Sequence, residues 1–145
     1  MQLAPEMILV VEDDRGQAEL IQANLENGHV RQQIVHVTDG EQGLEFVLRE
    51  GRFQDRRPGS VLVLLDMNLP RMDGLEFLAQ LQARQKNRQT PVLVFAASDN
   101  PLLVAQCYKL GASLYVRKPF LIEDFVATLE RVAGLIVSIS VPVAM

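Results

Sequence analysis

Five short β-type runs recur along the chain, at residues 7–11, 33–37, 61–65, 92–96 and 114–116. The third is apolar throughout, as expected of a strand covered on both faces. Between the runs, apolar residues return at helical spacing: Ala18, Leu20, Ile21 and Leu25; Leu44, Val47 and Leu48; Leu75, Leu78 and Leu81; Leu103, Cys107 and Leu110; Phe125, Leu129 and Val132. Punctuation agrees with this reading. Gly28 and Gly111 follow helix-like segments, Thr38-Asp39-Gly40 turns into the second, and Asn100-Pro101 reads as an N-cap with proline at the first helical position. Asp14 reads as the cap of the first helix and Asp73-Gly74 as the turn into the third. Residues 50–60, with two glycines, a proline and three arginines among them, read as a loop. Regular alternation of strand and helix implies an α/β fold: a doubly wound, five-stranded parallel sheet with right-handed crossovers and helices on both faces.

The C-terminus departs from this rhythm. Gly134 is expected to end the fifth helix, and residues 135–142 alternate with period two, a strand signal. The expected organisation is therefore one domain over residues 1–134 with a short C-terminal extension, 135–145. Leu135, Val137, Ile139 and Val141 would then present one apolar face, which favours a homodimer through this region over a fold back across the same chain.

Composition narrows the partners. With 145 residues, 48% hydrophobic, the chain suffices for one core and is short for two. A formal charge of −4 and a basic cluster, 52–57, interrupted by Phe53, Gln54 and Asp55 give no footprint for nucleic acid. Cys107 is the single cysteine, which excludes a disulfide framework and a cysteine metal site and points to the reducing cytoplasm. No secretion signal or bilayer-spanning run is visible, so no membrane partner is expected. Cys107 and the phenylalanines read as core residues, and His29 and His36 as surface or edge positions.

Charged residues arrive where three of the strand runs end: Glu12 and Asp13 after the first, Asp66 after the third and Lys118 after the fifth. Neighbouring parallel strands place their C-terminal ends on one rim, where open α/β sheets bind ligands. Three carboxylates and an ammonium would converge there. Crowded carboxylates resist ionisation unless positive charge offsets them, so the pattern implies a hard divalent cation beside a dianionic group. That is acyl phosphate chemistry, with Asp66 as the nucleophile.

Three strings carry a family resemblance: Ile8-Leu9-Val10-Val11-Glu12-Asp13-Asp14, residues 64–74 (LLDMNLPRMDG) and residues 111–120 (GASLYVRKPF). In order and spacing they resemble the receiver domain of bacterial two-component response regulators, from about Met7 to Ala133. The resemblance implies the flavodoxin-like receiver fold with strand order 2-1-3-4-5. It further implies Asp66 as phosphoacceptor, Asp13 as direct Mg²⁺ ligand, Glu12 as a ligand through water and the Asn68 backbone carbonyl as another, with Mn²⁺ an alternative ion. Lys118 matches the lysine that pairs with phosphoryl oxygens, and Pro119 follows a peptide bond often cis in the family. Tyr115 matches the aromatic that swings inward on activation.

One position breaks the family pattern. Receivers carry Thr or Ser at the end of the fourth strand, where this chain has Ala96. The missing hydroxyl predicts weakened switching, with Ser98 in the next loop as a substitute, and leaves a phosphorylation-independent docking module as the alternative function. A phosphatase of the haloacid dehalogenase type needs a second acid two residues after its nucleophile, and Asn68 cannot serve. The C-terminal extension, with residues 98–100 and 117–120, is similar to small regulators paired with phytochrome-type kinases. The expected partner is thus a sensor histidine kinase, a bacteriophytochrome in particular, and the expected role is phosphoacceptance and signalling by contact or phosphorelay, without an output domain and without enzymatic turnover of its own.

Overall fold

The computed structural model describes residues 2–85, 90–138 and 141–142. In chain order the elements are β1 (Gln2–Leu3), β2 (Met7–Val11), α1 (Arg15–Asn27), β3 (Gln33–Val37), α2 (Gly40–Leu48), β4 (Val61–Asp66), α3 (Gly74–Arg84), β5 (Val92–Ala96), α4 (Pro101–Lys109), β6 (Leu114–Arg117), α5 (Ile122–Ser138) and β7 (Val141–Pro142). Strands β3-β2-β4-β5-β6 form one parallel sheet, and β1 and β7 a separate antiparallel ribbon. Counted over the five sheet strands, the order is 2-1-3-4-5, the flavodoxin-like arrangement expected.

Side-chain alternation divides the core in two. Leu9 and Val11 of β2, Val63 and Leu65 of β4 and Val94 of β5 face one way, against Leu44 and Val47 of α2, Phe77 and Leu81 of α3 and Cys107 of α4. Ile8, Val10, Leu62, Leu64 and Phe95 face the other way, against Ile21 and Leu25 of α1 and Leu129, Val132 and Ile136 of α5. Because every central residue is buried on one side or the other, a slip of one residue would exchange the two sets, and register is tightly specified. The helices start where short polar side chains accept from the first turn: Asp14 from Gln17 N–H, Asp39 from Gln42, Asp73 from Glu76 and Asn100 from Leu102.

Several expectations give way here. Gly134 does not end the fifth helix, which continues to Ser138. Ile136 is fully buried against the sheet, and that burial outweighs the modest cost of one glycine. Leu135 and Val137 therefore lie on a helix and do not share a strand face with Val141; Ile139 lies outside the described residues. Val141–Pro142 pairs with the same chain's Gln2–Leu3, a fold back across the chain. The 50–60 segment holds a 3-10 turn, Gly51–Phe53, pinned by Arg56: its guanidinium stacks 4.4 Å from the Phe46 ring and donates to the Phe46 and Val47 carbonyls. Phe46, Phe77, Phe95 and Phe125 are core as expected, whereas Phe120 is 99% exposed, in a connection too short to fold back onto the sheet. Cys107 is buried. Among the described residues no helix is long and apolar enough to cross a membrane.

Gly28, after α1, lies where α1 meets α5: a Cβ there would sit 2.4 Å from the Ala133 Cβ. Gly134, by contrast, has nothing within 4 Å of its Cβ position. Gly28→Ala is expected to cost about 1–3 kcal/mol through overpacking, and Gly134→Ala to add about 0.5–1 kcal/mol as a mid-helix position. Urea unfolding of both variants checks this. A Gly134→Ala protein less stable than wild type would place the helix end where the sequence alone suggested.

Candidate functional site

Register assembles the site. Val11 of β2 is the partner of Leu65 of β4, so the next residues stand side by side: Glu12, just past the end of β2, and Asp66, the last residue of β4. Ala96 of β5 is the partner of Arg117 of β6, which brings Lys118 to the same rim, its N–H donating 2.6 Å to the Ala96 carbonyl. Carboxylate oxygens of Glu12, Asp13 and Asp66 lie within 4.8 Å of one another. Together with Asp14, Gln17, Met67, Asn68, Ala96, Ala97 and Lys118 they line a cavity of about 370 Å³. Glu12 and Asp66 are buried, while Asp13 is exposed at the mouth.

The electrostatics follow from that placement. Burial, and after it the negative charge of Asp66, pushes the Glu12 carboxyl up to about 7; the Asp14 N–H that it accepts at 3.1 Å and the Lys118 ammonium act the other way. Lys118 Nζ stands 3.4 Å from Glu12 Oε1 and 3.5 Å from Asp66 Oδ1, so it balances both acids without a short bond to either. Its short bond, 2.6 Å, goes to Gln17 Oε1. The Asn68 N–H donates to Asp66 Oδ1 at 3.2 Å, fixing the carboxylate at the end of β4. His36, half-buried on the edge strand β3, bonds the Glu12 carbonyl through Nε2 at 2.7 Å and braces the turn that carries Glu12-Asp13.

Of the residues singled out in the sequence, Glu12, Asp13, Asp66, Asn68, Ala96 and Lys118 meet in this cavity. Ser98 does not line it: its Oγ accepts from Asn100 N–H instead. Tyr115 lies half-buried behind β5, its hydroxyl donating to the Ser98 carbonyl and its own N–H to the Tyr108 hydroxyl. Among the described residues no peptide bond is cis, so Lys118–Pro119 is trans where the resemblance pointed to cis; the intrinsic X–Pro preference for trans, about 0.5–1 kcal/mol, prevails. Gln17 was not foreseen. Its only signal in the sequence is its place in the first turn of a helix that starts directly after Glu12-Asp13-Asp14.

A divalent cation fits the donor set. Three carboxylates, two of them buried, converge at one rim with Lys118 the one ammonium beside them among the described residues, and hard ions with oxygen ligands relieve such crowding.

This sheet order and this rim of acids and lysine define a receiver domain. The chain belongs to the response regulator receiver domain family, whose model matches residues 8–130, and is a response regulator of two-component signalling. The response regulator Rcp1 of Synechocystis sp. is 31% identical over 120 residues, covering 83% of this chain and 81% of that protein. Among solved structures, the Mn²⁺-bound form of response regulator Rcp1 aligns with a TM-score of 0.85 at 27% identity, over 95% of this chain and 99% of the other. The bacteriophytochrome response regulator RtBRR aligns with a TM-score of 0.73 at 36% identity, over 92% and 78%.

The raised Glu12 has a measurable consequence in metal-free buffer. Its value of about 7 in the folded protein exceeds the ordinary 4.5, so between these the folded state keeps a proton that the unfolded chain has lost. Stability is then greatest below the lower value and declines as pH rises to the upper one, by up to about 3 kcal/mol. Urea midpoints measured from pH 5 to 8 with EDTA are expected to show this decline in the wild type and its loss in Glu12→Gln. Parallel declines in the two proteins would assign the effect elsewhere.

Proposed function

We propose that this receiver accepts a phosphoryl group from a sensor histidine kinase onto Asp66 and signals through protein contact or phosphorelay. The observation that carries this reading is the approach of one ammonium, Lys118, to 3.5 Å from one buried strand-end carboxylate, Asp66, beside two further acids. In the transfer, an Asp66 oxygen attacks phosphorus and forms the new O–P bond. The P–N bond to the donor imidazole breaks, its electron pair staying on the nitrogen. Lys118 stabilises charge on the phosphoryl oxygens, and the Asn68 N–H holds the Asp66 carboxylate in line. Asp13, Asp66 and the Asn68 carbonyl, with Glu12 through water, would hold Mg²⁺ or Mn²⁺, which would supply charge neutralisation for the same oxygens.

The names of Rcp1's Mn²⁺-bound form and of RtBRR support an Mg²⁺- or Mn²⁺-dependent site and a bacteriophytochrome as the kinase. Net charge −4 favours protein over nucleic acid as partner, and the free thiol of Cys107 supports a cytoplasmic setting. The C-terminal region is the proposed contact between two copies. Support comes from the β1–β7 ribbon, two residues to a strand, which a second copy can pair with in exchange, and from Val137, 54% exposed beside it.

One feature favours a second reading, docking independent of phosphorylation. Ala96, 4% exposed, stands at the cavity edge with no hydroxyl, and the nearby Ser98 Oγ is engaged by Asn100. A hydrogen bond to a charged group contributes about 1.5–3 kcal/mol, against the roughly 5.5 kcal/mol that a full two-state reversal requires. Lacking that bond, the phosphoryl group would bias Tyr115 and its surroundings less strongly.

Two experiments separate these readings. With Mg²⁺ and phosphoramidate, or with its kinase, the protein is expected to gain one acid-stable, base-labile phosphoryl group by intact mass; Asp66→Asn, Asp13→Ala and EDTA should each abolish it. Label persisting in Asp66→Asn would remove Asp66 from the role. Ala96→Thr is expected to widen the difference in kinase affinity between phosphorylated and unphosphorylated protein by about tenfold. An unchanged difference would show that Ala96 does not limit coupling.

A further inference from the structure

The ammonium of Lys118 has a choice of acceptors, and its short bond is to the uncharged one. Gln17 Oε1 accepts at 2.6 Å, while Glu12 and Asp66 stand off at 3.4 and 3.5 Å. Charge-assisted bonds to carboxylates normally close to about 2.7–2.9 Å, so a free lysine in this pocket would collapse onto one of the acids. Gln17 is placed to prevent that. Its backbone N–H donates 2.9 Å to the Asp14 cap, which fixes the first turn of α1 over the cavity. On the far side, Lys118 Nζ lies 5.9 Å from the Phe125 ring centroid. The side chain is thus held between α1 and α5, above the strand ends.

We infer that Gln17 is a positioning residue that holds the Lys118 ammonium off Asp66, leaving the carboxylate free to attack and the ammonium ready for the incoming phosphoryl oxygens. This rests on Asp66 being the acceptor. An ammonium has three donors; one is committed to Gln17, and the other two are aimed at the Glu12–Asp66 side. Without the amide oxygen, the favoured rearrangement is a contact ion pair between Lys118 and Asp66. That pair occupies the lone pairs of the nucleophile and withdraws the ammonium from where transferred charge must be stabilised.

The test measures the phosphorylation rate with phosphoramidate at saturating Mg²⁺ in Gln17→Met, Gln17→Glu and the same Met variant in a Lys118→Ala background. Methionine keeps the length and helix propensity of glutamine and loses the oxygen; glutamate keeps an acceptor at the same reach. The rate is expected to fall about tenfold in Gln17→Met and to recover to within about threefold of wild type in Gln17→Glu. In the Lys118→Ala background, Gln17→Met is expected to change nothing further, since the effect runs through the lysine. An unaffected Gln17→Met, a Gln17→Glu as slow as Gln17→Met, or an undiminished effect without Lys118 would each overturn the inference. A wild-type protein that takes up no phosphoryl group overturns the reading of Asp66 itself, and this inference with it.

Discussion

Repulsion between Glu12 and Asp66 is the constraint around which the functional rim is organised. Adjacent parallel strands in fixed register deliver two carboxylates to neighbouring positions, both buried, with Asp13 close by. Nothing in the packing of the sheet requires these acids, and their burial opposes folding. One ammonium, on Lys118 just past β6, two strands from β4 and three from β2, is the compensating charge beside them among the described residues. It does not fully offset the cost, as the Glu12 carboxyl records, raised first by burial and after it by the charge of Asp66. A site left short of positive charge is a site prepared to receive it, which is the electrostatic sense in which the fold anticipates a cation.

The scaffold holds that imbalance by being rigid elsewhere. Strands β2, β4 and β5 are buried along their length and are packed on both faces by helices, of which α1 to α4 begin with side-chain caps. The two helices that flank Lys118, α1 and α5, meet each other closely enough that Gly28 has no room for a side chain beside Ala133.

The strands, the caps and the four charged site residues were legible in the sequence because each is a local signal. An apolar run, a short polar residue before a helix and an acid at a strand end are readable within a few positions. What escaped was nonlocal. Gly134 reads as a stop until Ile136 is seen buried against the sheet, and Leu135 and Val137 alternate in sequence while lying on a helix. Phe120 reads as core by composition, yet it sits in a connection that never turns inward. Gln17 carries no motif at all: its role arises from a contact 101 residues away, to Lys118. Arg56 belongs with these, since its stacking on Phe46 depends on how a segment that reads as plain loop returns to α2.

Ala96 bears on how the proposed chemistry and the proposed signal are related. In the proposed transfer, the acids, Lys118 and the Asn68 N–H would all address the acyl phosphate directly and need nothing from β5 beyond its place in the sheet. Coupling is different: it requires a group that touches the phosphoryl oxygens and also pulls on the next loop. In this chain that loop is tied down by its own bonds, with Ser98 Oγ accepting from Asn100 and the Ser98 carbonyl accepting from Tyr115. Tyr115 is thereby held by the segment that a switch hydroxyl would have to move. On the proposed reading, phosphate chemistry and conformational response are separable, and a partner that contacts the modified rim itself could read phosphorylation even where the β5 loop responds little.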